Sequence, residues 1–154
     1  MNDCFGRQLY SEVGFADNMK VELIPLEILL PHEEIIPNKV DQLEKMTIRW
    51  NAYVLPLVVD KVTGTILDGH HRYNVAKNLD LQCLPCVLVD YLSDDSIELD
   101  VWPKSGRETL SKDEVIQAGL SGILLPPKTS RHRLPDHLPP ISIPLSRLMF
   151  PAMS

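Results

Sequence analysis

The stretch from Val54 to Leu92 leaves few folds open to this chain. Val54 to Asp60 is rich in Val and Leu and reads as a buried strand. Lys61-Val62-Thr63-Gly64 is a turn signal, and Thr65-Ile66-Leu67 restarts the chain as a second strand, making a hairpin. Asp68-Gly69 ends that strand. A helix follows over His71 to Leu79, with Tyr73, Ala76 and Leu79 able to share one face, and Leu84 to Leu92 reads as a further strand. Asp68 is the expected N-cap of the helix, its carboxylate accepting backbone N–H groups that the first turn leaves unpaired.

The flanks add smaller elements. Residues 1–19 show no clear period and read as a loose leader. Val21 to Leu30 fits a short strand and a turn, since Pro25 lacks the donor a helix needs. Pro31-His32-Glu33-Glu34 precedes a helix from Asn38 to about Thr47, with Val40, Leu43 and Met46 toward the core. Ser93 to Asp100 is acidic and reads as a solvated strand edge or loop. Ser111-Lys112-Asp113-Glu114 is a capping box, opening a helix that stops near Gly119 or Gly122. Seven of the 13 prolines fall between Pro126 and Pro151. The chain thus divides into a leader at 1–19, a domain at 20–125, and a Pro-rich, basic segment at 126–154, extended and wrapped over the domain or partly disordered.

At 154 residues, one domain with a small appendage fits. The net charge of -6 argues against sequence-independent nucleic-acid binding, which needs a basic face to displace counterions. No apolar run can span a bilayer and no signal-peptide pattern opens the chain, so a cytoplasmic protein is expected. Cys4, Cys83 and Cys86 make a poor disulfide framework, and alternation places the last two on opposite strand faces as packing residues.

Three clusters can carry chemistry. In the first, a helix start offers free N–H groups and the positive end of its dipole to phosphate oxygens. Gly69 lets the backbone come close, Arg72 can form paired charge-assisted bonds, and His70 and His71 can donate when suitably protonated. Asp68 repels phosphate, so its presence needs another reason. It can cap the helix, hold Mg²⁺ or accept a hydroxyl proton. The bland alternative is a capped helix with a solvated polar face. In the second cluster, His32-Glu33-Glu34, the carboxylates can serve as base or metal ligand, or merely favour a helix entrance. In the third, Lys128, Thr129, Ser130, Arg131, His132 and Arg133 can close over an anion, or form an exposed basic tail docked on the acidic 93–100 stretch.

Asp68-Gly69-His70-His71-Arg72, a short helix, and then Leu84-Pro85-Cys86-Val87-Leu88-Val89-Asp90-Tyr91 together resemble the ParB/sulfiredoxin-like superfamily. Within it, the motif and the upstream Pro31-His32-Glu33 resemble the free L-serine kinases of the SerK and SbnI type. The likeness runs from about Val21 to about Trp102. It implies an α+β domain, a small mixed sheet with packed helices, that moves the terminal phosphoryl group of ADP or ATP to the hydroxyl of free L-serine with Mg²⁺. By the same likeness Glu33 is the catalytic base, Asp68 the partner of the hydroxyl and Mg²⁺, and Gly69, His70, His71 and Arg72 the phosphate cradle. His32 and Trp102 belong to the acceptor pocket, and the Lys128–His132 cluster can hold the serine carboxylate. His70 stands where sulfiredoxins carry their cysteine, so sulfinic acid reduction is not expected. A ParB-like module that senses CTP or ATP without transfer is the alternative, and a kinase for another hydroxyl compound is a third reading.

Overall fold

A computed structural model describes residues 19–151. Except for Met19, the 1–19 leader lies outside the described residues, as does Cys4. The domain is built on a four-stranded sheet in the order β1-β5-β3-β4. β1 (Val21–Pro25) runs antiparallel to β5 (Cys83–Val89), β5 runs parallel to β3 (Leu57–Asp60), and β3 turns back into β4 (Ile66–Asp68) as the expected hairpin. The sheet is therefore mixed. α1 (Pro37–Trp50) and α2 (His70–Asn78) pack against it and against each other.

The core forms where sequence alternation meets helical spacing. Leu23, Leu57, Ile66, Val75 and Leu84 are fully buried in one cluster, and Cys83 and Cys86 lie in it as free, buried thiols. Burial pushes the Cys83 thiol up to about 11 and the Cys86 thiol higher still, which keeps both protonated and inert. A second cluster gathers Val58, Leu67, Tyr91, Val115 and Ile116.

Several boundaries differ from the sequence expectation. β3 begins at Leu57, and Ala52–Tyr53 separates as a short strand, β2. On α1, Val40 and Thr47 are buried while Met46 is 42% exposed. At about 100° per residue, a seven-residue step returns to the same face and a six-residue step does not. β5 ends at Val89, and Tyr91 is buried beyond it in a turn. The acidic stretch supplies β6 (Glu98–Val101) after a turn. α3 (Lys112–Ser121) has the expected capping box, with the Ser111 hydroxyl accepting from the Glu114 N–H, and ends at Gly122.

The proline-rich segment is built into the domain. β7 (Ser130–Arg133) pairs antiparallel with β6, and β8 (Ile143–Pro144) pairs with β2. Ile143 and Leu148, the latter in the single turn α4 (Leu145–Leu148), enter the main core. Among the described residues, no helix is long and apolar enough to cross a membrane.

Candidate active site

The chain from β4 to α2 turns on one glycine. Gly69 sits in the left-handed region at φ 107° and is itself the N-cap of α2. A Cβ there would stand 2.7 Å from Leu57 Cγ and 3.1 Å from an Arg72 nitrogen, so only glycine fits. This overturns the capping role expected of Asp68. The left-handed turn leaves Asp68 as the last residue of β4, and no side chain caps α2. The Asp68 carboxylate is 58% exposed and lies 3.7 Å from the Arg72 guanidinium.

Arg72 is fixed from two sides. Its guanidinium donates to the Pro56 carbonyl at 3.1 Å, and its own carbonyl accepts from the Tyr53 hydroxyl at 2.7 Å. Its buried Nε has no hydrogen-bond partner. Only one edge of the fork is therefore tied to protein.

The two motif histidines have a job that the sequence did not suggest. The His32 backbone N–H donates to His70 Nε2, and the Ile36 N–H donates to His71 Nε2, both at 3.1 Å. Nε2 is thus an acceptor in each ring, and the neutral ring carries its proton on Nδ1. The pair clamps the extended 31–36 segment onto the start of α2. Burial holds the His70 pKa well below the ordinary value. Burial, then Lys39 and Lys128, lowers that of His71.

The clamped segment presents Glu33. Its backbone forms a parallel bridge with Leu125, which brings the carboxylate under the next turn of chain. There it accepts from Lys128 N–H at 3.1 Å, Ser130 N–H at 2.8 Å and Ser130 Oγ–H at 2.7 Å. A carboxylate has about four lone-pair positions, so one remains for a further donor.

β7 delivers the cations. Trp102 lies just after β6, and Lys128 Nζ and Arg131 Cζ sit 5.1 and 4.7 Å from its ring centroid. Such contacts hold flexible cations over a ring face. Glu33, Asp68, Gly69, His70, His71, Arg72, Trp102, Lys128, Ser130, Arg131 and His132 all line one cavity of about 250 Å³.

Two expected pocket residues do not reach it. Thr129 is 1% exposed, and its hydroxyl donates to the Pro126 carbonyl at 2.7 Å, turning it away from the cavity. His32 is fully buried behind the wall, with Nδ1 donating to the Ile66 carbonyl at 2.6 Å and Nε2 2.9 Å from Ser130 Oγ. His132 meets the Tyr91 hydroxyl through Nε2 at 2.8 Å and also bonds the Leu67 carbonyl. His32 and His132 thereby satisfy carbonyls of the edge strand β4. Burial, chiefly, takes His132 down to about 3 and lowers His32 as well.

Lys39, in the first turn of α1, was missed. Its ammonium neighbours that of Lys128, and their mutual repulsion lowers its pKa. A lysine at a helix N-terminus opposes the dipole, and that mismatch was the available signal. Among the described residues, no group of three or more His, Cys, Asp or Glu side chains could hold a metal ion. Mg²⁺ needs less, because it is commonly held by one or two carboxylates together with substrate phosphates. The exposed Asp68 at the cavity wall fits that minimal role.

A cation-lined cavity on an Asp-Gly-His-His-Arg turn, set against a small mixed sheet, is suited to an anion. No family model matches the chain. It is 36% identical over 84 residues to an ATP-dependent L-serine kinase of Desulfurococcus mucosus, covering 52% of this chain and 32% of that protein. It is 34% identical over 85 residues to a ParB-like protein of Sulfolobus acidocaldarius, covering 55% of this chain and 42% of that protein. A free serine kinase solved in complex with AMP superimposes with a TM-score of 0.75 at 18% identity, covering 88% of this chain and 94% of that one. SbnI from Staphylococcus aureus, with a C-terminal truncation, gives 0.68 at 12% identity, over 83% of this chain and 88% of that one. Over about half its length the chain is similar to curated L-serine kinases and to a ParB-like protein, and it shares its fold with solved free serine kinases. It spans about a third of the length of the first curated kinases it matches.

Proposed function

We propose that this protein transfers the terminal phosphoryl group of ADP or ATP to the hydroxyl of free L-serine, giving O-phospho-L-serine. The observation that carries the reading is the cavity itself. Glu33, a carboxylate with a free lone pair, lines it together with Gly69 to Arg72 at the start of α2 and the cations Lys128 and Arg131. Kinase relatives and an AMP-bound fold neighbour support the choice of donor and acceptor.

In this reading the first N–H groups of α2, with Gly69 allowing close approach, hold the phosphates. Arg72, Lys128 and Arg131 offset the charge that spreads over the transferred group. Glu33 accepts the acceptor hydroxyl's proton late in the transfer. Asp68 would hold Mg²⁺, which supplies charge neutralisation at the phosphates when bound. Ser130 and Lys128 N–H groups fix the carboxylate. The curated relatives described as L-serine kinases favour transfer over a nucleotide switch, so the CTP-sensing alternative is not favoured.

Mass spectrometry of a reaction with serine, Mg²⁺ and either ADP or ATP tests this. Phosphoserine should form with at least one donor, and Glu33→Gln should abolish it while leaving nucleotide affinity intact. A folded protein that binds nucleotide yet forms no phosphoserine with either donor would overturn the assignment.

A further inference from the structure

We propose that Ser130 and His32 extend Glu33 into a proton relay, in which Ser130 Oγ passes the proton released by the acceptor hydroxyl to a store on His32 Nε2. The relay rests on the kinase reading and adds two residues to its machinery.

Counting protons along the contacts leads there. His32 Nδ1 lies 2.6 Å from the Ile66 carbonyl, which can only accept, so Nδ1 carries a hydrogen. A neutral His32 therefore has a bare Nε2, and that atom lies 2.9 Å from Ser130 Oγ. Ser130 Oγ also lies 2.7 Å from Glu33 Oε1. The hydroxyl has a single hydrogen to give, and two acceptors claim it. With Glu33 ionised and His32 neutral, the chain Oε1···Oγ···Nε2 is one proton short. The two contacts are both satisfied only when one further proton enters, and phosphoryl transfer to an alcohol releases one proton.

The steps balance. As the acceptor oxygen bonds to phosphorus and the bond from phosphorus to the leaving oxygen of the nucleotide breaks, the acceptor's proton passes to the Glu33 carboxyl group. The proton arrives at Oε2, the oxygen with the free lone pair; a half-turn of the carboxyl group carries it to the Ser130 side, and it moves to Ser130 Oγ as the Ser130 proton moves to His32 Nε2. Glu33 is again a carboxylate, Ser130 again a hydroxyl, and His32 an imidazolium. Glu33 stays 3.9 Å from His32 Nε2 and favours that charge. The rings of His70 and His132, with centroids 4.5 and 6.0 Å away, are the other titratable groups facing it. The first accepts a backbone N–H and burial lowers the second to about 3, so both are neutral. Burial brings the basicity of His32 down from its ordinary value, so the proton returns along the same chain once product leaves. His32 has no surface exposure, which makes it a store rather than an exit.

Single-turnover phosphoserine formation, followed across mixtures of light and heavy water, tests the relay. Two protons in flight give a curved dependence of rate on deuterium fraction in the wild type. Ser130→Ala should slow the step about 100-fold, the lower end of the range for lost acid–base assistance, and make the dependence linear. Ser130→Thr, which keeps the hydroxyl, should restore both rate and curvature. Nucleotide affinity should be the same in all three. A linear dependence in the wild type, or a slow Ser130→Ala protein that keeps the curvature, overturns the relay while the kinase stands. A wild type that forms no phosphoserine overturns both.

Discussion

The cavity has two walls of different origin. One, Asp68 to Arg72, is a single turn of chain whose parts are neighbours in sequence. The other, Lys128 to His132, reaches the cavity only because β7 pairs with β6 and Glu33 grips the turn before it. The local wall offers helix N–H groups in fixed positions, and its histidines serve as acceptors for another segment. The remote wall offers long-armed cations steadied by Trp102. Binding geometry is thus set by the short-range wall, and charge by the long-range one.

The remote wall can be broken from a distance. Leu148 is fully buried, and Leu148→Ala should lower stability by about 2–5 kcal/mol, as buried Leu-to-Ala changes do. Chemical denaturation would show it. A loss near zero would mean that the tail is not part of the core.

Acid should undo the second layer behind both walls. His32, His70 and His132 are lowered in the folded state, so the unfolded chain binds more protons below its histidine pKa near 6.5. Stability is then complete above that pH and falls below it. For His132, lowered to about 3, the loss is about 1.4 kcal/mol per pH unit across the window between the two values. Denaturation curves at pH 7.5 and 5.5 test the sign. Equal midpoints would contradict the burial of these rings.

Smaller effects separate the walls. Gly69→Ala forces a side chain into the left-handed region and against Leu57, costing about 1–2 kcal/mol from conformation alone. It should weaken nucleotide binding by calorimetry more than it affects serine. Arg131→Ala should weaken binding about tenfold, within the range of lost charge-assisted bonds, without changing the melting temperature by more than a degree or so.

Much of the local wall was legible in the sequence, because strand, turn and helix start follow one another between Ile66 and Arg72. The misreading of Asp68 as the cap arose because a left-handed Gly69 takes that position itself. The remote wall was legible only as a cluster of cations. Nothing in composition says that Thr129 turns inward or that Ser130 meets Glu33 across 97 residues of chain. The same limit applies to His70 and His71, whose Nε2 acceptors face a segment more than 30 residues away. Glu33 itself entered through a family resemblance, since its own neighbours read more readily as a helix entrance.

Phosphorus NMR of the protein with serine, Mg²⁺ and ADP or ATP tests phosphoryl transfer to serine most directly. The expected result is a new phosphomonoester signal coupled to the serine methylene protons, growing as the donor loses one phosphate, and absent with Glu33→Gln. A bound nucleotide that stays intact, or that yields inorganic phosphate alone, would contradict it.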